Sequence, residues 1–244
     1  WPLFGLGGSE KIGHVIAMSE QAADTAPKAR AVIIPVTPLQ QNCTLLWCTR
    51  TNRGALVDPG GDLDRLKDAV RQQGVEIEKI LVTHGHIDHC GQAGILAQEL
   101  GVPIEGPHEG DRFWIDRLAE DGMRYGINGK PFDPDRWLAD GDRVRVGDLE
   151  LAVIHCPGHT PGHVVFFHEP SRLAIVGDVL FQGSIGRTDF PRGNHEDLIE
   201  AITGKLWPLG GDVAFLPGHG PMSSFAHERR ANPYVADRVT GVAG

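Results

Sequence analysis

Little in the chain points to a membrane, to nucleic acid or to an oxidising compartment. Only four cysteines occur, Cys43, Cys48, Cys90 and Cys156, with no Cys-x-x-Cys pair among them. Cys43 and Cys48 share a strand-like segment at odd separation, so their side chains point to opposite faces and no bridge between them is expected. Four free thiols suit a reducing cytoplasm, which is the compartment expected. No run approaches the roughly 18 apolar residues of a membrane-spanning helix, so no membrane association is expected. No block of about five basic residues appears. The net charge is −9, from 23 basic and 32 acidic residues. Nucleic acid is therefore not an expected partner. Low-complexity tracts and short repeats are also missing.

What is present reads as a globular chain. Its 244 residues are 41% hydrophobic and 23% charged, enough for a sizeable buried core. Residues 1–17 are Gly-rich and precede Met18; they read as an appended or upstream segment and are set outside the fold. Residues 18–30 read as a polar lead-in, and 31–244 as a single domain, monomeric or a small homo-oligomer.

Strand-like runs come first, at 31–36, 43–49 and 54–60, the last ending in Asp-Pro-Gly-Gly. Leu63, Leu66 and Val70 then fall at helical spacing, with Asp62 placed to cap the helix and Gly74 to end it. A short buried strand, 79–84, precedes a helix predicted from Ala93, Leu96, Ala97 and Leu100. A helix over 110–120 and a loop beyond it read as an excursion near a site mouth. Strands resume at 143–147, 149–156, 163–168 and 172–178. A helix at 195–206, with Leu198, Ile202 and Leu206 on one face, leads to a last strand starting at 212. Each half thus runs strands, helix, strand, loop, which predicts an α/β fold of the αββα sandwich type.

The chemistry sits at strand ends. "LVTHGHIDHC" (81–90) crowds His84, His86, Asp88 and His89 behind an apolar run. "CPGHTPGH" follows another strand with His159, "VGDVLF" ends a third with Asp178, and "PGHG" follows a fourth with His219. Ligands at the ends of separate strands can converge on one point. Imidazole and carboxylate at this density suit zinc, iron or manganese.

This order of elements, with "LVDPGG" at Asp58, resembles the metallo-β-lactamase superfamily across about residues 31–225. The resemblance implies an αββα sandwich with a metal site along one edge. It implies that His84, His86 and His159 hold one divalent ion, that Asp88, His89 and His219 hold a second, and that Asp178 bridges them. The two ions are expected to be zinc, with iron or manganese as alternatives. Asp58 would orient a ligand histidine by a hydrogen bond, and Asp88 and Asp178 would serve catalysis.

"GDVLFQGSIGRTDFPRGN" (177–194) and "LPGHGPMSSFAHERRANPYV" (216–235) are similar to glyoxalase II enzymes of the short, single-domain type. That resemblance implies a thioester hydrolase acting on a small-molecule glutathione conjugate, S-2-hydroxyacylglutathione, through a metal-bridging hydroxide, as in methylglyoxal detoxification. Only 25 residues follow His219, so the C-terminal helical domain of the longer enzymes does not fit. Arg187, in Gly-Arg-Thr, is then the candidate contact to a substrate carboxylate, against a loop-stabilising ion pair. Arg192, Arg229 and Arg230 read as solvated charge. Two alternatives remain: a mononuclear-iron persulfide dioxygenase on His84, His159 and Asp178, and a lactonase or β-lactamase. Of the other histidines, His163 reads as structural and His155 as packed. His14, His108, His168, His195 and His227 read as surface residues, and Cys90 as a small buried residue.

Overall fold

The computed structural model describes residues 27–241 together with the short strand Val15–Ile16. One six-stranded sheet contains β1 (Val15–Ile16), β2 (Ala29–Val36), β3 (Gln41–Cys48), β4 (Arg53–Val57), β5 (Glu76–Leu81) and β6 (Ile104–Glu105), in sequence order. The first four pair antiparallel. β4, β5 and β6 then run parallel, with α1 (Leu63–Gln73), the single turn α2 (Ile87–Cys90) and α3 (Ala93–Leu100) in the crossovers.

The second half repeats the plan. β7 (Arg143–Val146), β8 (Leu149–His155), β9 (Val164–His168) and β10 (Leu173–Gly177) form an antiparallel meander. A two-stranded ribbon of β11 (Leu180–Phe181) and β12 (Ser184–Ile185) follows. β13 (Ala214–Pro217) pairs parallel to β10, and β14 (Ser223–Ser224) closes the edge. The expected α/β sandwich is thus observed. None of the helices is long and apolar enough to cross a membrane among the described residues.

Strand alternation sorts the apolar side chains into three seams. Val32, Ile34, Cys43, Leu45 and Leu56 face the helices of the first half. Ala31, Leu46, Cys48 and Val57 meet Leu151, Phe166, Ile175 and Leu216 between the two sheets. Val165, Phe167, Val176 and Phe215 pack on the helices of the second half. β3, covered on both faces, is buried along its whole length. Cys43 and Cys48 fall in different seams, as their spacing predicts, and all four cysteines are buried and free.

Several expectations are corrected. Val15–Ile16 lies inside the segment set outside the fold, yet it adds an edge strand against Ala31 and Val32. The polar lead-in gives its last two residues to β2. Asp62 does not cap α1. It adopts φ 52°, and its carboxylate accepts a hydrogen bond from the Thr37 amide at 2.8 Å. The helix expected at 110–120 is a turn, Glu109–Asp111, followed by α4 (Arg112–Ile115) and α5 (Leu118–Tyr125). A tight bond from the Arg117 amide to the Trp114 carbonyl separates α4 from α5, and left-handed Gly126 ends α5. The helix at 195–206 begins as α6 (His195–Glu200), capped by Asn194, and widens into a π turn over Ala201–Leu206. Beyond β14 the chain ends in α7 (Phe225–Ala231) and α8 (Asp237–Thr240).

His168 is another correction. It is buried at the end of β9, its Nδ1 without a hydrogen-bond partner. Burial pushes its pKa down. The folded chain therefore holds a neutral ring, whereas the unfolded chain takes up a proton below about pH 6.5, so stability falls as pH drops below that value. We expect His168→Phe to lose less stability than the parent between pH 7.5 and 5. Denaturant melts at the two pH values check this, and parallel losses would contradict it.

Candidate metal centre

The carboxyl ends of β4, β5, β8, β10 and β13 open on the same edge of the sandwich, and each delivers polar side chains there. Two clusters result. His84 Nε2 lies 3.1 Å from His86 Nδ1, and His159 Nε2 lies 3.0 Å from that same atom. His219 Nε2 lies 3.2 Å from Asp88 Oδ2, and His89 Nε2 3.8 Å from it. Asp178 stands between the clusters. Its Oδ1 is 3.3 Å from His89 Nε2, and its Oδ2 is 3.6 Å from His159 Nε2 and 3.7 Å from His219 Nε2. All seven residues singled out in the sequence therefore meet at one edge. His84, His86 and His159 form one group able to hold a cation, and Asp88, His89 and His219 a second.

For His84, His89 and His159, hydrogen bonds on the far side of the ring fix which nitrogen faces inward. His159 Nδ1 donates to the Arg187 carbonyl at 2.8 Å, leaving Nε2 with a lone pair toward the cluster. Asp58 accepts from His89 Nδ1 at 2.9 Å and from the Thr83 hydroxyl at 2.6 Å, and that hydroxyl lies 3.0 Å from His84 Nδ1. Asp58 thus orients His89 directly and His84 through Thr83. Asp58, His84 and His89 make a third close group, but the Asp58 carboxylate is already taken up by His89 Nδ1 and by Thr83.

His163 is structural, as its position suggests. Its Nε2 accepts from the Asp178 amide at 3.0 Å, and its ring stacks on His84. His155 is partly buried, with Nε2 donating to the Pro161 carbonyl at 2.9 Å. Cys90 is buried, its thiol donating to the His86 carbonyl. His108 is half-buried, His195 and His227 are exposed, and His14 lies outside the described residues.

The electrostatics fit a cation. Burial lowers the pKa values of His84, His86 and His159, so these rings present lone pairs rather than protons. Burial works against charge on Asp178 and His89 as well, yet the groups around each favour it, so the space between them attracts positive charge, whether a proton on His89 or a metal ion. His89, His159 and His219 keep Asp178 far below the usual carboxylate range, and Asp178 and Asp88 raise His89. His89 Nε2 and Asp178 Oδ1 are buried without a hydrogen-bond partner, facing the space between the groups. Orphaned buried acceptors converging on one space are the donor set a metal ion satisfies.

Sequence reasoning missed the residues that hold the last ligand loop. Asn42, at the start of β3, donates from its amide nitrogen to the Pro217 carbonyl at 3.0 Å and the Gly220 carbonyl at 2.9 Å. Its backbone amide donates to the Gly218 carbonyl. These bonds bracket His219. Gln41 lies beside it, 3.3 Å from His89 Nδ1. A buried Gln-Asn pair at a strand start is the one signal that could have marked them. Gly218 is required for a different reason: a Cβ there would strike Asp178 Oδ1 and the His89 ring.

The cluster floors a cavity of about 610 Å³. Trp114 and Phe190 pack edge-on against His86 at 4.6 Å each. Arg117, Arg124 and Tyr125 of the 109–125 excursion, together with Arg187, also line it. Arg187 is bidentate to Asp189 at 2.6 Å and stacks over Phe190.

A family model of the metallo-β-lactamase superfamily matches residues 36–219, which include every residue of the two clusters. The chain belongs to the metallo-β-lactamase superfamily. Hydroxyacylglutathione hydrolase GloC of Haemophilus influenzae is 44% identical over 205 residues, covering 83% of this chain and 96% of that protein. The BLEG-1 B3 metallo-β-lactamase structure aligns with a TM-score of 0.77 and 31% identity, over 84% of this chain and 99% of the other. TTHA1623, solved in a di-iron-bound form, aligns with a TM-score of 0.75 and 32% identity, over 83% and 98%. Membership in the superfamily, with the His/Asp cluster, makes the chain a hydrolytic metalloenzyme.

Asn42→Ala is expected to free the His219 loop. Metal titration should then show stoichiometry falling from near two toward one, with the circular dichroism spectrum unchanged. Unaltered uptake of both ions would contradict the bracketing role.

Proposed function

We propose that this protein hydrolyses thioesters, and that its substrates are S-2-hydroxyacylglutathiones such as S-D-lactoylglutathione. The observation that carries the reading is the pair of cation groups with Asp178 between them at the floor of an accessible cavity. The similarity to a hydroxyacylglutathione hydrolase across most of both chains supports the substrate class. In this reading His84, His86 and His159 hold one ion, Asp88, His89 and His219 the other, and Asp178 bridges. Zinc is the proposed metal; iron and manganese suit the same donors. Divalent cations held by these residues would supply a water activated toward a pKa of about 7 and a Lewis acid for the substrate carbonyl.

The chain's own residues set the rest. Asp88 and Asp178, which both line the cavity, would supply the negative charge that lets two cations sit close together. Asp58 and the Arg187 carbonyl keep His89, His84 and His159 turned inward. Trp114 and Phe190 shield His86 from water. The departing thiolate has an ordinary pKa of about 8.5, so it leaves without a dedicated acid. Four buried free thiols agree with a reducing cytoplasm.

For the carrier, Arg187 and Arg124 are the proposed carboxylate contacts. Arg187 reaches the cavity while tied to Asp189, so a substrate carboxylate would share that guanidinium. Arg124 lines the same cavity and has no carboxylate partner among the described residues.

Incubation with S-D-lactoylglutathione and a thiol reagent tests the reading. Free thiol should appear, and His86→Ala or Asp178→Ala should abolish its release with the fold retained. Arg124→Glu should raise KM about ten-fold, the loss of roughly 1.4 kcal/mol of binding, with kcat little changed. No thiol release by the metal-loaded parent, or oxygen uptake with glutathione persulfide in its place, would overturn it.

A further inference from the structure

Asp111 lies in the excursion between the halves, in a position where the sequence gives no hint of a role. It is fully buried. It occupies the N-cap position of α4 but makes no capping bond there. Its carboxylate turns the other way. Oδ2 accepts from the Gly85 amide at 2.8 Å and from the Thr160 hydroxyl at 2.7 Å, and Oδ1 accepts from the Gly162 amide at 2.6 Å. Gly85 stands between His84 and His86, and Thr160 follows His159. One carboxylate therefore ties together the two loops that carry the complete three-histidine group.

The packing around it leaves little freedom. The His108 amide donates to the Gly162 carbonyl at 3.0 Å. A Cβ on Gly110 would come within 3.0 Å of the Pro161 carbonyl, and one on Gly85 within 2.7 Å of the Trp114 side chain. A Cβ on Gly162 would approach the Asp111 amide to 2.5 Å. The 108–111 turn is thus pressed against both loops. Three residues on, Trp114 rests on His86. Burial raises the Asp111 carboxyl to about 6 against the pull of its three hydrogen bonds, so a charge is kept here at a cost that a neutral brace would avoid.

We infer that Asp111 is a positioning residue that sets the mutual placement of His84, His86 and His159, and so the affinity of that group for its ion. The inference rests on the reading that these histidines hold a metal. The donor count explains the choice of side chain. All three partners are donors, and a carboxylate is acceptor-only. An asparagine that keeps Gly85 and Thr160 on its oxygen must aim its NH2 at the Gly162 amide.

Cobalt(II) titration of the full chain, followed by visible absorption and with no substrate present, tests this. The parent should bind near two ions. Asp111→Asn should bind the ion of the three-histidine group about ten-fold or more loosely, the range found when the outer partners of ligands are removed, with an altered visible spectrum. Thr160→Val, which deletes one of the three bonds and keeps the shape, should shift both readouts in the same direction by less. If Asp111→Asn does not fold, Thr160→Val decides alone. Variants with a lowered Tm but the parent's cobalt affinity and spectrum would make Asp111 a brace of the fold and overturn the inference. A parent that binds no cobalt would instead overturn the metal reading on which it rests.

Discussion

Lone pairs repel, and at the sheet edge of this protein three imidazole nitrogens are held face to face at hydrogen-bonding distance with burial opposing their protonation. Two carboxylates, Asp88 and Asp178, close the same space from the other side. Such an arrangement is unfavourable for the polypeptide by itself. It becomes favourable around positive charge, and the raised proton affinity of His89 shows how strongly the edge attracts it. The remainder of the molecule can be understood as what holds these groups together in spite of their mutual repulsion.

Two devices do so. The first is topological. Parallel pairing of β4 with β5, and of β10 with β13, brings strand ends from both halves of the chain to one edge. Three apolar seams lock the two sheets and their helices behind that edge. The second is a set of backbone and carboxylate handles outside the rings. Asp58 holds His89 and, through Thr83, His84. The Arg187 carbonyl holds His159, and His163 holds the Asp178 amide. Arg187 thereby has two parts: its carbonyl serves the cluster, while its side chain lies on the cavity wall.

The strand ends and the cluster were legible because apolar runs followed by Gly, His and Asp are local signals. The two faces of β3 were legible from side-chain alternation alone, hence the separation of Cys43 from Cys48. What escaped depends on partners far away in sequence. Asp62 has every local mark of a cap, yet the Thr37 amide claims its carboxylate. His168 is polar in composition but sits where β9 is covered on both faces. Val15–Ile16 pairs with β2 only because β2 offers a free edge. Asn42 and Asp111 carry no motif, since their roles consist of bonds to loops at least 26 residues distant in a fold that must first exist. The helical excursion was placed near the site mouth correctly, but its break at Arg117 is a turn that periodicity does not encode.

The proposed thioester hydrolysis rests on two cations with Asp178 between them. Anomalous diffraction from crystals of the metal-loaded protein, recorded at the absorption edge of the bound metal, tests this most directly. The account predicts two peaks about 3.5–4 Å apart, one beside His84, His86 and His159, the other beside Asp88, His89 and His219, with Asp178 between them. A single peak, or peaks away from these residues, would contradict it.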